Sequence, residues 1–385
     1  MTSAARAPRP VRRPAAADGP APPRLDNLTV SRKEGFRAFA EAPTRHQPEN
    51  LTVAQLAALS DRARRDYNHR RSIWHANLPL IKTTQVAELL EQLTDIVESN
   101  QQDGDKPKGA IAIEGPAGVG KSSAILAFAK DFHLDTIADL GERTGEGHER
   151  WPVCRVGLNG NTGIKDFNKA MLGFYNHAGI KRGTAVDFAN RALDCVLSCE
   201  TRLLIVDDIH FLKQRTTSVE ISNQFKYISN EFPLTIVFIG IDLRQRGFYS
   251  DGGCFEGILG QSGRRITPLK LRDFSLDEAH RHEWRQLLLA IEQRIMLARK
   301  HRGMLVGLSD VLFERSTGRI GSLTTLVSRA CQRAVRTGAE YIDRELLAQI
   351  PGDAAAEQQR AEARVVVAAS RKAARPKRDA ATRAS

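Results

Sequence analysis

The feature that most constrains this chain is the octapeptide Gly115-Pro116-Ala117-Gly118-Val119-Gly120-Lys121-Ser122, placed between the apolar run Ala110 to Ile113 and the helical stretch Ser123 to Lys130. In the order strand, loop, helix, the pattern GxxxxGK[ST] is a phosphate-binding loop. Its glycines let the backbone wrap a phosphate chain, and the N-terminus of the following helix favours negative charge. Lys121 is placed to reach the β- and γ-phosphates, and the Ser122 hydroxyl to complete a magnesium shell, with Ser123 next on the first helical turn. ATP and Mg2+ are the cofactors this loop implies. An ordinary Gly-rich turn would require neither the strand before it nor the helix after it.

A nucleotide site also needs an acid at the end of a second buried strand. Leu203-Leu204-Ile205-Val206-Asp207-Asp208 supplies one. Asp207 is the candidate to hold magnesium through water, and Asp208 the candidate to orient and deprotonate the attacking water. Adjacent acids also occur at helix N-termini, but the four apolar residues before them and the phosphate loop upstream favour catalysis. Val153 to Leu158 and Leu234 to Ile239 are further short apolar runs, separated by helical stretches. Strands buried on both faces and alternating with helices predict a parallel sheet in an α/β domain.

Outside this region the patterns are helical. Leu51 to Tyr67 and Thr84 to Val97 are amphipathic. From about Ser275 strand signals stop: Ser275 with Glu278 reads as a capping box opening a helix through Ala298, Ser309 caps a short helix, Ile320 to Val335 forms another closed by Gly338, and Asp343 opens a last one. The expected organisation is a basic Pro/Ala-rich tail over 1–48, a helical lead-in over 49–100, the α/β core over 101–272, an all-helical lid over 273–351, and a basic Ala/Arg-rich tail over 352–385.

Composition excludes several classes. With 385 residues, 41% hydrophobic and 26% charged, the chain can bury a core and is not a disordered polyelectrolyte. No apolar run approaches the roughly 18 residues that cross a bilayer, and no secretory signal opens the chain, so a cytoplasmic location away from membranes is expected. Cys154, Cys195, Cys199, Cys254 and Cys331 are too scattered for a disulfide framework and are expected to be buried thiols. The formal net charge of +12 is concentrated at the ends: residues 1–24 hold five arginines against Asp18, and residues 371–385 hold six basic residues against Asp379. Bulk charge is therefore a weak argument for nucleic-acid binding by the folded part.

The phosphate loop, the later acidic strand and the trailing helical domain together resemble the AAA+ ATPases. The resemblance implies a polar sensor after the strand Leu234 to Ile239, where Asp242 stands; as an anion, Asp242 is equally well read as a loop cap. It implies an arginine finger from a neighbouring subunit just before the last core strand, where Arg264 and Arg265 precede Ile266 to Leu271. It also implies a second sensor in the lid, matched by Arg319 in Ser316-Thr317-Gly318-Arg319-Ile320-Gly321.

Three local matches narrow the resemblance to the TniB/TnsC/MuB-like transposition regulators: Tyr67 to Thr83 ahead of the core, LLIVDDIHFL with His210 after the acids, and the lid run from Ser316 to Asp343. This group implies Leu78, Ile81 and Lys82 near the adenine, assembly of ATP-bound copies as rings or filaments on duplex DNA, and recruitment of a transposase or integrase. Asp208 replaces the longer Glu more common there, which implies slow, switch-like turnover. Lys165, Lys169, Lys181 and Arg182, in the segment Asn159 to Arg182, are candidates for gripping DNA phosphates, although lysines on helices are commonly just solvated. Two other readings remain: a replication initiator or helicase loader of the same superfamily, and a nucleotide-regulated signalling or scaffold NTPase with no DNA role.

Overall fold

The computed structural model describes residues 25–103, 106–160, 162–211, 225, 227–228, 232–245 and 266–373. Five strands, β1 (Ala110–Glu114), β2 (Val153–Gly157), β3 (Leu203–Asp207), β4 (Thr235–Gly240) and β5 (Ile266–Lys270), form one sheet in the order β2-β3-β4-β1-β5. Every pairing is parallel; Ile111 is opposite Val237 on one side and Thr267 on the other. The three inner strands β1, β3 and β4 are buried along almost their whole length, as their continuous apolar runs require. Pro268, which lacks a ladder donor, lies on the edge strand β5. The sheet thus puts the C-terminal ends of β1, β3 and β4 side by side.

The helices before and around the sheet are α1 (Lys33–Ala40), α2 (Val53–Ala58), α3 (Asp61–Ala76), α4 (Thr84–Ser99), α5 (Lys121–Leu140), α6 (Ile164–Phe174) and α7 (Ala185–Ser198). The lid contains α8 (Arg281–Arg294), α9 (Ser309–Ser316), α10 (Ile320–Thr337), α11 (Arg344–Ala348) and α12 (Ala354–Ala373). A parallel α/β core followed by a helical lid is the fold class expected from the sequence. Among the described residues no helix is long and apolar enough to cross a membrane.

Several local expectations are corrected. The stretch Leu51 to Tyr67 is two helices, because the Ser60 side chain accepts from the Ala63 N–H and starts α3 afresh. The Ser275–Glu278 capping box does not form. The Ser275 hydroxyl accepts from the Asp277 N–H, and Asp277 accepts from the His280 N–H, so α8 begins only at Arg281 and ends at Arg294. Ser309 is the first residue of α9 rather than its cap, and its hydroxyl accepts from Trp284 Nε1 at 3.0 Å. Gly338, with φ 75°, closes α10, and the Asp343 carboxylate caps α11.

Both segments read as tails contain placed structure. Phe36 of α1 is fully buried between His133 and Phe174, while Arg37 stacks over Trp151 and Lys33 pairs with Glu149 at 2.6 Å. α12 buries Ala356, Ala363 and Val367. It is pinned to α9 by Arg360 and Arg364 on Glu314 and by Arg371 on Asp310. The helical lead-in also divides: α4 packs on α5 of the core, whereas α3 is fastened to the lid. There Arg71 donates to both Glu340 oxygens at 2.7 and 2.6 Å, Trp74 donates to the Arg294 carbonyl, and His75 Nε2 accepts from the Met296 N–H.

Among the described cysteines, Cys154 and Cys331 are buried and Cys195 and Cys199 half-buried. Burial pushes the last two thiols up to about 12 and about 11, so they are protonated and unreactive at neutral pH. Cys254 lies outside the described residues.

Two outcomes follow from this packing. Burial, helped by Arg71 at His75 and by Arg37 at His133, lowers each imidazole from 6.5 to about 4. The unfolded chain then binds more protons than the folded one between these values, so stability is complete above 6.5 and declines as pH falls towards 4. Thermal unfolding across this range should show that slope, and His133→Phe should flatten it. Gly318 has φ 74°, and a Cβ there would collide with the Phe274 carbonyl oxygen at the core–lid junction. Gly318→Ala should cost about 1–3 kcal/mol in denaturant unfolding.

Candidate nucleotide site

The phosphate loop leaves β1 at Glu114 and is shaped by two residues with left-handed backbone, Gly118 (φ 83°) and Gly120 (φ 94°). Gly120 is also the N-cap of α5, so the free N–H groups of that helix face the loop. Gly115 has no room for a side chain, since a Cβ there would strike the Leu271 carbonyl oxygen just after β5. The loop is thus locked by the neighbouring strand before it turns.

Lys121 donates to the Gly115 and Pro116 carbonyls at 2.6 and 2.7 Å, holding its ammonium against the loop. Burial lowers its pKa, against the opposing pull of Asp207, Asp208, Asp273 and Asp242. Ser122 Oγ donates to Asp207 Oδ1 at 3.3 Å, which brings together the two magnesium ligands expected from sequence. A hydroxyl and a carboxylate are the hard oxygen donors magnesium prefers, with water and phosphate oxygens completing its shell.

Asp207 ends β3 and is 3% exposed, whereas Asp208 is exposed and holds φ 59°. Left-handed backbone at a non-glycine is costly and concentrates at functional sites. It turns the second acid out of the strand while the Asp208 N–H donates back to Asp207 Oδ1 at 3.1 Å. Asp242, after β4, also has a left-handed backbone (φ 54°) and is exposed.

The lid closes on the loop directly. The Gly321 N–H donates to the Gly118 carbonyl at 2.8 Å, and Arg319, the N-cap residue of α10, runs alongside Gly118. Arg319 Nε lies 3.5 Å from Asp273 Oδ1, a carboxylate at the start of the lid whose pKa burial raises and Arg319 lowers. A cavity of about 810 Å³ opens between this part of α10, the first turns of α5 and residues 75–81. Leu78, Ile81, Leu126 and Ile320 give it apolar walls and Gly120 adjoins it, which suits a purine ring beside a phosphate chain. Lys82, expected with Leu78 and Ile81, is exposed and lines a smaller depression with Phe274 and Glu283 instead.

Lys165 and Lys169 on α6 lie over the Phe188 ring of α7 at 5.7 and 5.8 Å, and Arg191 approaches the same ring at 6.0 Å. Arg191 in turn donates to the Arg182 carbonyl at 2.8 Å, next to exposed Lys181. Of the four basic residues singled out from sequence, Lys165 and Lys169 therefore share one aromatic face with Arg191, whereas Arg182 is joined to them only through its backbone carbonyl and Lys181 only as its neighbour in the chain. Arg264 and Arg265 lie outside the described residues.

Sequence reasoning missed two charged partners of the site. Asp273 pairs with Arg319, and its only sequence signal is its place where strands give way to helices. Arg155, in the middle of β2, donates to Asp207 Oδ2 at 2.7 Å. Its signal is a charged residue inside an otherwise apolar strand.

Comparison with known proteins adds the following. No curated protein matches the chain in sequence. Among solved structures, the Aeropyrum pernix ORC2 protein (ADPNP–ADP complexes) is 13% identical with a TM-score of 0.48, over 68% of this chain and 66% of that one. Cdc6p from Pyrobaculum aerophilum is 13% identical with a TM-score of 0.49, covering 73% of this chain and 74% of that one. Domain III of the Thermotoga maritima replication initiation protein DnaA is 15% identical with a TM-score of 0.44, covering 71% and 92%. Likenesses of this strength carry no argument about function. Residues 72–253 match the family model TniB, "Bacterial TniB protein". That span runs from the wall of the cavity through the phosphate loop and the acidic strand, and over it the chain has the sequence pattern of the TniB family, the TniB/TnsC-like group of AAA+ transposition regulators.

Proposed function

We propose that this protein is an ATP-dependent DNA-binding ATPase that assembles on duplex DNA and regulates transposition by marking a target and recruiting a transposase or integrase. The observation that carries the reading is the match to the TniB family over the very segment that builds the nucleotide site. ATP lies with its base in the cavity walled by Leu78, Ile81 and Ile320, and with its phosphates along 115–122. Lys121 and Arg319 offset the phosphate charge from the core side and the lid side. Magnesium, held by Ser122 and Asp207, supplies further charge neutralisation when bound.

Asp208 orients and deprotonates the attacking water, and its short side chain makes the ATPase slow. Asp242 is the sensor after β4. Arg264 or Arg265 reaches the nucleotide of the next copy, so the active form is a homo-oligomer, a ring or a helical filament. Lys165, Lys169, Lys181 and Arg182 grip phosphates of the duplex without reading bases. The protein acts in the cytoplasm.

Two variants test this reading with random-sequence duplex. Lys121→Ala should weaken ATP binding by about a hundredfold and abolish ATP-dependent DNA binding. Asp208→Asn should retain ATP-dependent DNA binding while hydrolysis falls about a hundredfold or more. Assembly of Lys121→Ala on DNA in the presence of ATP would overturn the nucleotide switch. Weak, ATP-independent binding by the unmodified protein would favour a scaffold NTPase, and strong preference for one duplex sequence at matched salt would favour a replication initiator.

A further inference from the structure

We infer that Arg155 is a positioning residue of the nucleotide site, fixing the Asp207 carboxylate and raising the magnesium concentration at which the site fills. The inference rests on the reading of Ser122 and Asp207 as the magnesium-holding pair.

β2 is an edge strand whose residues Val153, Cys154 and Val156 are almost wholly buried, and Arg155 stands among them with a side chain 14% exposed. A charge at such a position is costly unless it is paired. One guanidinium nitrogen donates to Asp207 Oδ2 at 2.7 Å and the other to Ser31 Oγ at 2.9 Å, while Nε has no partner. Gly157, opposite Asp207 in the β2–β3 register, lies beside this arrangement, its Cβ position in ordinary contact with the guanidinium at 3.8 Å and with Ser31 Oγ at 3.9 Å.

The two oxygens of Asp207 are consequently divided. Oδ1 takes the Ser122 hydroxyl and the Asp208 N–H; Oδ2 takes Arg155. With both oxygens engaged the carboxylate cannot rotate, and Oδ1 is kept towards the phosphate loop. Ser31, just before α1, holds the guanidinium from behind. An apolar side chain would fill the strand at lower cost, so a merely structural role does not account for a charge aimed at this carboxylate.

Two opposite effects follow. Arg155 orients the group that holds magnesium, which favours turnover. Its fixed positive charge also balances Asp207 and opposes a second cation nearby, which weakens magnesium binding. Removing the charge leaves Asp207 buried without its counter-charge, so that a divalent cation gains by replacing it.

The test is a magnesium titration of ATP binding by the full chain, followed by equilibrium fluorescence and by magnesium-induced thermal stabilisation. Arg155→Met should lower the magnesium midpoint about tenfold and enlarge the stabilisation while reducing kcat. Arg155→Lys, which keeps the charge, should stay within about twofold of the unmodified midpoint. Should Arg155→Met fail to fold, neutral Arg155→Gln is read in the same way. A midpoint that is unchanged or higher in the neutral variants overturns the inference while leaving the nucleotide site intact. Absence of magnesium-dependent ATP binding in the unmodified protein contradicts the site itself.

Discussion

The structure depends on a stretch of backbone, residues 115–120, that is held by both the sheet and the lid. The phosphate loop is fixed at its start, where Gly115 packs against the Leu271 carbonyl, and at its middle, where the Gly118 carbonyl accepts the Gly321 N–H. The first contact ties it to the sheet and the second to the lid. Because the loop is rigid at both points, whatever fills it bears on the core and the lid together. The same lid is held from its far side by α3, through Arg71 and Glu340. The 810 Å³ cavity lies between these attachments, walled partly by the chain that leaves α3.

Charge organises the site around this loop. Lys121, Arg155 and Arg319 face Asp207, Asp208, Asp242 and Asp273, and each acid sits where a strand ends or the lid begins. The ion pairs do not serve chiefly as stabilisers, since buried pairs seldom repay their desolvation. They fix orientation: Asp207 is divided between Ser122 and Arg155, and Arg319 is divided between Asp273 and the edge of Gly118. On the proposed reading, a nucleotide in the loop would bring phosphate charge to these cations and a demand for magnesium to these acids.

Much of the site was legible in the sequence because its parts are contiguous. The phosphate loop and the acid pair occupy single short segments, and the apolar runs before them are buried as strands must be between neighbours. What was hidden depends on tertiary placement. Arg155 becomes a partner of Asp207 only through the β2–β3 register, and Asp273 only through the approach of α10. α1 depends on two large apolar residues, buried Phe36 and half-buried Phe39, in too short a segment to show a period. α12 buries mostly alanine, which carries little hydrophobic signal. At Ser275 a nearby Asp277 offered a tighter local hydrogen bond than the helical cap required. α3 looked like a lead-in to the core because sequence order says nothing about which body a helix will face.

The central claim is that nucleotide held between the phosphate loop and the lid assembles copies of this chain on duplex DNA. Imaging the protein with a slowly hydrolysed ATP analogue, magnesium and random duplex tests it most directly. The account predicts rings or helical filaments around the DNA, with the triphosphate along 115–122, Arg319 at the same nucleotide, and the cluster around Lys165 and Lys169 facing the duplex. Single copies off the DNA, or nucleotide bound away from the phosphate loop, would contradict it.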